Sequence, residues 1–260
     1  MNPDTTNVAM DLRDVAVSSI RNPDIRTLEG VNWQVAVGEF WVVGGLQGSG
    51  KTDLLLTAAG LVPPAAGSYT LFGQPMPIFE EQRLSHRLRL GIVFDGGQLF
   101  NHLTVQENVA LPLRYHRNLT RSEAAAEVGR MLALCGLESW ADSTPGALGR
   151  NWQKRAGLAR ALMLKPEVLL LDNPMAGLDP RHRAWWLDFL GRLARGSDWL
   201  EGRPATLVAT ADDLRPWRQR AGRFAVLKNR RLDVLGTWDQ LKSVSNETVQ
   251  ELVSPPPAEM

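Results

Sequence analysis

This 260-residue sequence lacks the features that mark disulfide-bonded, nucleic-acid-binding and membrane-spanning proteins. It has one cysteine, Cys135, so no internal disulfide can form, and we expect a core thiol at this apolar helical position. The formal net charge of +1 argues against a nucleic-acid-binding surface spread over the whole protein. No apolar run approaches the roughly 20 residues that a membrane-spanning helix needs, and Met1-Asn2-Pro3-Asp4 lacks a signal pattern. We therefore expect a soluble, cytoplasmic protein that reaches a membrane only through a partner.

The most informative stretch is Gly45-Leu46-Gln47-Gly48-Ser49-Gly50-Lys51-Thr52, which has the G-x-x-x-x-G-K-T spacing of a phosphate-binding P-loop. An apolar run, residues 40–43, precedes it, and three leucines, residues 54–56, follow it, so it joins a strand to a helix. Glycines let the backbone turn its N–H groups inward, and the helix directs its positive end to the same place. Lys51 adds charge for the β- and γ-phosphates, and Thr52 offers a hydroxyl to Mg²⁺. The alternative is a glycine-rich turn that binds nothing, which the complete octamer in this context disfavours.

Strands and helices alternate along most of the chain. Apolar patterns predict strands at 11–19, 31–37, 40–44, 68–72, 89–94, 168–171 and 206–210, and a hairpin at 224–227 and 231–234. Helices are predicted at 51–60, behind capping boxes at Thr104 and Thr120, at 151–164, behind Asp179 and at 237–242. Pro112 is expected to kink or end the helix in which it lies. This order predicts an α/β fold with a mainly parallel sheet, helices on both faces and a helical insertion at about 101–164.

A second group of motifs follows in a recognisable order: the apolar strand 168–171, then Asp172, then Gly177-Leu178-Asp179-Pro180. In this order the chain resembles the nucleotide-binding subunits of ATP-binding cassette (ABC) transporters over residues 11–243. The resemblance implies a P-loop NTPase fold with an N-terminal antiparallel β subdomain and an inserted helical subdomain. It places the nucleotide-binding domain at 1–243, followed by a C-terminal helix and Pro-rich tail at 244–260. The segment 93–114 is most similar to the phospholipid-transport ATPases that serve MCE-domain systems.

The resemblance also implies ligands and partners. The cofactors would be ATP and Mg²⁺, with Lys51 on phosphate, Thr52 on Mg²⁺ and Asp172 supporting the ion through water. The partners would be a membrane permease and a second ABC subunit, which is either another copy or a different chain, and no nucleic acid is expected. Asp179 matches the loop that contacts the second subunit. Asp53, in place of a hydroxyl residue of the family, would put a negative charge near the α-phosphate.

The catalytic positions depart from the family pattern. Asn173 replaces the glutamate that orients or deprotonates the attacking water, and loss of a general base typically costs ~10²–10⁴-fold in rate. Ala211 replaces the histidine that contacts the γ-phosphate. Asp95 replaces the glutamine that senses Mg²⁺ and water. None of the three positions therefore carries the family's catalytic group.

The dimer-interface and base-binding segments have changed as well. The signature Leu-Ser-Gly-Gly-Gln reads Leu148-Gly149-Arg150-Asn151-Trp152 here, while the helix behind it keeps the family pattern. We expect Gly149, Arg150, Asn151 and Asp179 to face a second subunit. The stretch Ser18-Ser19-Ile20 lacks the aromatic residue that the family stacks on adenine.

Three functions remain open. The first is a pseudo-ATPase that keeps the ABC fold, docks on a permease and binds nucleotide without useful turnover. The second is a working ATPase with Asp95 as base and Arg150 as γ-phosphate donor in trans, as arginines act in other phosphoryl-transfer enzymes. The third is an ABC-fold regulator without a transporter partner.

A permease-docking segment is also predicted. Leu99, Phe100, Leu103 and Val109 offer apolar anchors between polar residues, as a groove for a short helix requires. The alternative is that these side chains only seal the helical insertion onto the sheet.

Overall fold

The structure is a computed structural model that describes residues 7–77 and 81–254. Its strands are β1 (Val8–Ser18), β2 (Arg26–Ala36), β3 (Phe40–Gly45), β4 (Ala66–Leu71), β5 (Gln74–Met76), β6 (Leu90–Val93), β7 (Val168–Leu171), β8 (Thr206–Ala211), β9 (Arg223–Lys228) and β10 (Arg231–Gly236). Its α-helices are α1 (Lys51–Ala58), α2 (Leu84–Arg87), α3 (Val105–His116), α4 (Arg121–Cys135), α5 (Arg150–Leu162), α6 (Pro180–Arg195), α7 (Trp238–Lys242) and α8 (Glu247–Val253).

These strands form two sheets. The N-terminal sheet is antiparallel, with the order β2-β1-β4-β5. The larger sheet has the order β10-β9-β3-β8-β7-β6, in which only β10 runs antiparallel to its neighbour. The predicted P-loop NTPase fold, with its antiparallel N-terminal sheet and mainly parallel core sheet, is confirmed.

The strand that leads into the P-loop is buried on both faces. Phe40 and Val42 belong to the core that the sheet shares with α5 and α6. Trp41 and Val43 point the other way, into the core shared with α1 and the N-terminal sheet. A strand that is buried on both faces has a continuous run of apolar residues, and residues 40–43 before the octamer form such a run. Its carboxyl end is therefore held firmly where the P-loop begins.

A helical layer, α3 to α5, lies between β6 and β7 in the sequence. Both predicted capping boxes are formed, at Thr104 and at Thr120. Pro112 lies inside α3 and does not end it, since the helix continues to His116. A proline removes one backbone donor, but the buried Val109 and Leu113 on either side of it hold the helix against its neighbours.

Tertiary pairing moves several predicted boundaries. β2 begins at Arg26, before the alternating segment, because Arg26 pairs with Ser18 and Leu28 pairs with Val17 of β1. α5 begins at Arg150 and β8 extends to Ala211, each one residue beyond its prediction. The predicted C-terminal helix is α8, capped by the Asn246 side chain, whereas the Pro-rich tail lies outside the described residues. None of the helices in the described ranges has the length and apolar character to cross a bilayer.

Candidate functional site

The P-loop has a backbone that only glycine accommodates well. Gly48 and Gly50 have φ angles of 79° and 93°, in the left-handed region that other residues rarely adopt. A Cβ at Gly45 would collide with the Ser49 hydroxyl. α1 begins directly after Gly50 and has no side-chain N-cap, so its first N–H groups stay available to an anion. The sequence therefore folds here into a phosphate cradle.

The Lys51 side chain binds backbone carbonyls of the P-loop. Its Nζ donates to the carbonyls of Gly45 at 2.6 Å and Leu46 at 2.8 Å, and pairs with Asp212 Oδ1 at 2.8 Å. The lysine side chain is 9% exposed, whereas Asp212 is 53% exposed. Asp212 was not among the sequence-predicted site residues, although it directly follows Ala211. A phosphate that reaches Lys51 must therefore compete with a carboxylate of the same chain.

The two predicted magnesium residues lie together. Thr52 Oγ1 donates to Asp172 Oδ2 at 2.9 Å, and Thr210 Oγ1 donates to the other carboxylate oxygen at 3.0 Å. Burial raises the pKa of Asp172, against the lowering effect of these hydroxyl hydrogen bonds. A hydroxyl beside a carboxylate suits Mg²⁺, which prefers oxygen ligands and usually keeps phosphate and water in its shell. The described residues contain no group of three or more His, Cys, Asp or Glu that could hold a metal ion.

The predicted catalytic positions 173 and 211 carry no side chain that could act as a general base. Asn173 follows Asp172 with φ 42°, a left-handed conformation that asparagine tolerates. Its backbone N–H donates to Thr210 Oγ1 at 2.9 Å, and its amide Nδ2 donates to Asp212 Oδ2 at 2.7 Å. Ala211, at the end of β8, is 4% exposed and offers only a methyl group. The amide is therefore held by a neighbouring carboxylate and cannot take a proton from water.

Asp95, which follows β6, is bound by two cations of α5. Arg150 Nη2 lies 3.1 and 2.9 Å from its two oxygens, and Lys154 Nζ lies 2.9 Å from Oδ1. Burial alone would raise the pKa of Asp95, but the hydrogen bonds and charges of Lys154 and Arg150 outweigh it and hold the pKa below its ordinary value. The carboxylate is thus both occupied and weakly basic.

Lys154 joins this pair to the loop after β7. Its side chain is 1% exposed, and Nζ donates to the carbonyls of Asn173 at 2.9 Å and Ala176 at 3.1 Å. Burial lowers the pKa of Lys154, and the Asp95 carboxylate opposes that effect. Sequence reasoning missed this residue, since a lysine within a helical pattern is most often solvated.

The signature residues divide between surface and interior. Gly149 and Arg150 are exposed at the start of α5, but Asn151 is 6% exposed and offers little surface to a second subunit. Asp179 is exposed and caps α6 through the His182 N–H at 3.0 Å. The Arg150 guanidinium also lies beside this segment, 3.7 Å from where a Cβ on Gly177 would stand.

Residues 28–176 match the family model described as ABC transporter. The chain belongs to the ABC transporter family. It is 33% identical over 214 residues to the spermidine/putrescine import ATP-binding protein PotA of Trichodesmium erythraeum, covering 82% of this chain and 53% of that protein. It is 34% identical over 234 residues to the sulfate/thiosulfate import ATP-binding protein CysA of Mycolicibacterium paratuberculosis, covering 90% and 61%. The chain thus spans only 53% and 61% of the lengths of these two relatives.

Solved ABC structures show the same fold. The dimeric structure of a post-hydrolysis state of the ATP-binding cassette MJ0796, bound to ADP and Pi, superposes with a TM-score of 0.75 at 27% identity. The match covers 86% of this chain and 96% of that one.

Asp53 makes a contact that the sequence analysis of this ABC chain did not predict. Its Oδ1 accepts a hydrogen bond from the Ile20 N–H at 3.0 Å. The carboxylate is therefore engaged by the backbone of the β1–β2 connection. The sequence alone could not show this, since the two residues lie 33 positions apart.

The predicted docking residues of this ABC chain are not equally available. Phe100 is 53% exposed, and Leu99 and Leu103 are half-buried. Val109 is 0% exposed and packs in the core, so its prediction as a docking anchor is wrong and it seals α3 onto the sheet. The buried Asn108 holds the preceding loop: its Oδ1 accepts from the Phe100 N–H at 2.8 Å, and its Nδ2 donates to the Phe100 carbonyl at 3.1 Å. Phe100 is therefore presented on a fixed backbone.

Proposed function

We propose that this chain is an ATP-binding subunit of an ABC transporter that holds Mg-ATP with little or no hydrolysis. The phosphate cradle and the Thr52–Asp172 pair support nucleotide binding. When bound, Mg²⁺ would neutralise phosphate charge, with Thr52 as a ligand and Asp172 as support. The observation that carries the proposal is the ion pair between Arg150 and Asp95 within one chain.

This ion pair occupies the two side chains that a working ATPase would need, Asp95 as general base and Arg150 as γ-phosphate donor. A general base must be free to take a proton from water, but Asp95 is bound by two cations that lower its pKa. An arginine that acts in trans must be free to reach the phosphate of the second subunit, but Arg150 binds Asp95 beside it. Both side chains would have to separate before either could act.

The remaining positions offer no substitute. Asn173 donates its amide to Asp212, and Asp212 itself pairs with Lys51. Ala211 has no polar atom in its side chain. The active alternative therefore requires several side chains to rearrange together, which is why we place it second.

A permease and a second subunit complete the proposed assembly. The half-buried Leu99 and Leu103 flank the exposed Phe100, which fits a short amphipathic helix of a permease on the inner face of a membrane. Gly149 and Asp179 are the exposed residues that would contact a second copy or a paired ABC subunit, whereas the exposed Arg150 is held by Asp95. We propose the phospholipid-transport branch because of segment 93–114, which contains this docking loop. Co-purification with a permease separates this function from a regulator that has no transporter partner.

The test is ATP turnover by the purified chain, alone and with its permease, against Lys51→Ala. Nucleotide binding that depends on Lys51, without turnover above that background, supports the proposal. Rapid turnover that Lys51→Ala abolishes supports the active alternative.

A further inference from the structure

A cleft lies at the amino ends of β6, β7 and β8, and we call it the basic cleft. Four cationic side chains and two carboxylates from separate segments of the chain line it: Arg89, Arg117, Lys165, Arg203, Glu167 and Glu201. Its volume is about 530 Å³, which is within the range of sites that hold small molecules.

The basic cleft is separate from the phosphate cradle. Glu167 precedes β7 and Asp172 follows it, so this strand holds the two residues about 16 Å apart at its usual rise. The P-loop, Asp172 and Ala211 lie at or just after the carboxyl ends of the parallel strands. A ligand in the basic cleft would therefore not share the groups that bind nucleotide.

One ion pair of the basic cleft is already complete. Arg89 Nε and Nη2 donate to the two Glu167 oxygens at 2.6 and 2.9 Å. The same guanidinium lies over the Phe72 ring, 3.5 Å from its centroid. Because this pair is engaged on every side, it forms a wall of the basic cleft and leaves the binding to the other cations.

Those other cations outnumber their counter-charge. Lys165 Nζ donates to Glu201 Oε1 at 2.7 Å, whereas Arg203 Nη2 lies 3.8 Å from Glu201 Oε2, beyond hydrogen-bond distance. In the described part of the chain the Arg117 guanidinium has no hydrogen bond or ion pair. Three cations thus share one carboxylate, which leaves a net charge of +2 in the open part of the cleft.

The rest of the lining adds little charge and some apolar surface. His116 also lines the cleft, and burial, together with the positive charge of Arg87, holds its pKa below the ordinary value. Its ring is therefore neutral at neutral pH. The half-buried Leu88 and Leu164 give the cleft an apolar side.

We propose that the basic cleft binds a phosphate monoester dianion with a small apolar group, held by Arg117, Lys165 and Arg203. A phosphate monoester carries a charge of about −1.5 to −2 at pH 7, which matches the surplus positive charge. The planar fork of an arginine can hold two phosphate oxygens, and a lysine adds a point charge. The apolar group would lie against the two leucines. A soluble phosphorylated compound and a lipid headgroup both offer this chemistry, and neither depends on the proposed nucleotide binding.

The experiment measures calorimetric affinities at low ionic strength, where surface charges are least screened. The probes are phenyl phosphate and phenyl sulfate, which has the same ring but a single negative charge. We expect phenyl phosphate to bind at least about threefold more tightly, because it carries more charge. Arg117→Ala and Arg203→Ala should each weaken its binding about three- to tenfold, since each removes a charged hydrogen bond from a partly exposed site. Glu201→Gln should tighten binding, because it removes the competing negative charge and keeps the shape.

Two control variants test whether the basic cleft is the site. Arg231 is exposed and begins β10, at the opposite edge of the core sheet from β6, so Arg231→Ala should leave the affinity unchanged. Lys51→Ala should also retain phenyl phosphate binding, which excludes the P-loop as its site. The proposal is overturned by equal weakening in Arg231→Ala, by loss of binding in Lys51→Ala, or by weaker binding in Glu201→Gln.

Flotation with phosphatidylcholine vesicles, with and without phosphatidate, separates the two sources of the ligand. Retention on phosphatidate vesicles that Arg117→Ala and Arg203→Ala abolish supports a lipid headgroup, and phenyl phosphate binding without retention supports a soluble ligand. Arg117 also follows α3, where a cation interacts favourably with the helix dipole. Arg117→Ala and Arg203→Ala proteins that lose thermal stability but bind every probe as the parent does would show a structural role alone and overturn the proposal.

Discussion

Arg150 and Asp95 are bound to each other, with Arg150 Nη2 at 3.1 and 2.9 Å from the two carboxylate oxygens. One residue begins α5 of the helical layer and the other follows β6 of the core sheet. The resemblance to ABC ATPases implies a glycine at position 150 and a glutamine at position 95, so the two residues that are expected to depart from that pattern contact each other. The pair links the two layers of the chain and leaves neither side chain free for chemistry.

The first prediction concerns the strength of this link. Arg150→Ala should lower the free energy of unfolding by only ~0.2–1 kcal/mol, since the ion pair is partly exposed. Asp95→Ala should cost more, towards ~3 kcal/mol, because it also leaves the 1%-exposed Lys154 without its counter-charge. Urea unfolding of both variants and the double variant measures the coupling. Equal costs for the two single variants would show that Lys154 does not depend on Asp95.

The second prediction is a pH dependence of that stability. Asp95 has a folded-state pKa below its ordinary value of 3.8, so its contribution is fully present above that value. It is lost as the pH falls through the lower folded-state pKa. The parent should therefore exceed Asp95→Asn in free energy of unfolding at neutral pH, and the difference should shrink in acid. A difference that stays constant in urea titrations from about pH 6 to about pH 2.5 contradicts a lowered pKa.

The third prediction concerns permease docking. Phe100→Glu should abolish co-purification with the permease, because it places a charge at the exposed centre of the apolar segment, while the fold remains intact. Tyr115→Glu is the matched control, since Tyr115 is 76% exposed on α3 and lies outside the docking segment. A complex that survives Phe100→Glu, or is lost equally with Tyr115→Glu, counts against this interface.

A fourth prediction concerns association with a second copy. In the parent, Asp95 holds Arg150, so Arg150→Ala should leave any Mg-ATP-promoted dimer unchanged. Asp95→Asn frees the guanidinium for a phosphate of the second copy and should strengthen the dimer. The added association should disappear in the Asp95→Asn, Arg150→Ala double variant. Sedimentation velocity with and without Mg-ATP measures the association. A parent dimer that is lost in Arg150→Ala would show that Arg150 contacts the second copy in preference to Asp95.

The sequence predicts much of this molecule where a local pattern decides the structure. The octamer, its buried strand and the capping boxes at Thr104 and Thr120 are local, and the structure has all of them. The contacts of Asp53, Asp95 and Lys154 could not be predicted, because each joins residues far apart in sequence. The prediction of Val109 as a docking anchor was wrong for a related reason. The sequence pattern of an apolar helical residue is the same whether its side chain contacts a partner or packs in the core.

Turnover of Mg-ATP by the parent, with and without its permease, against Lys51→Ala, tests the central claim most directly. The ion pair, together with Asn173 and Ala211, predicts a rate that stays near the Lys51→Ala background in both conditions, even though nucleotide binds. A parent rate in the ordinary enzyme range of ~1–10³ s⁻¹ that Lys51→Ala abolishes would contradict it.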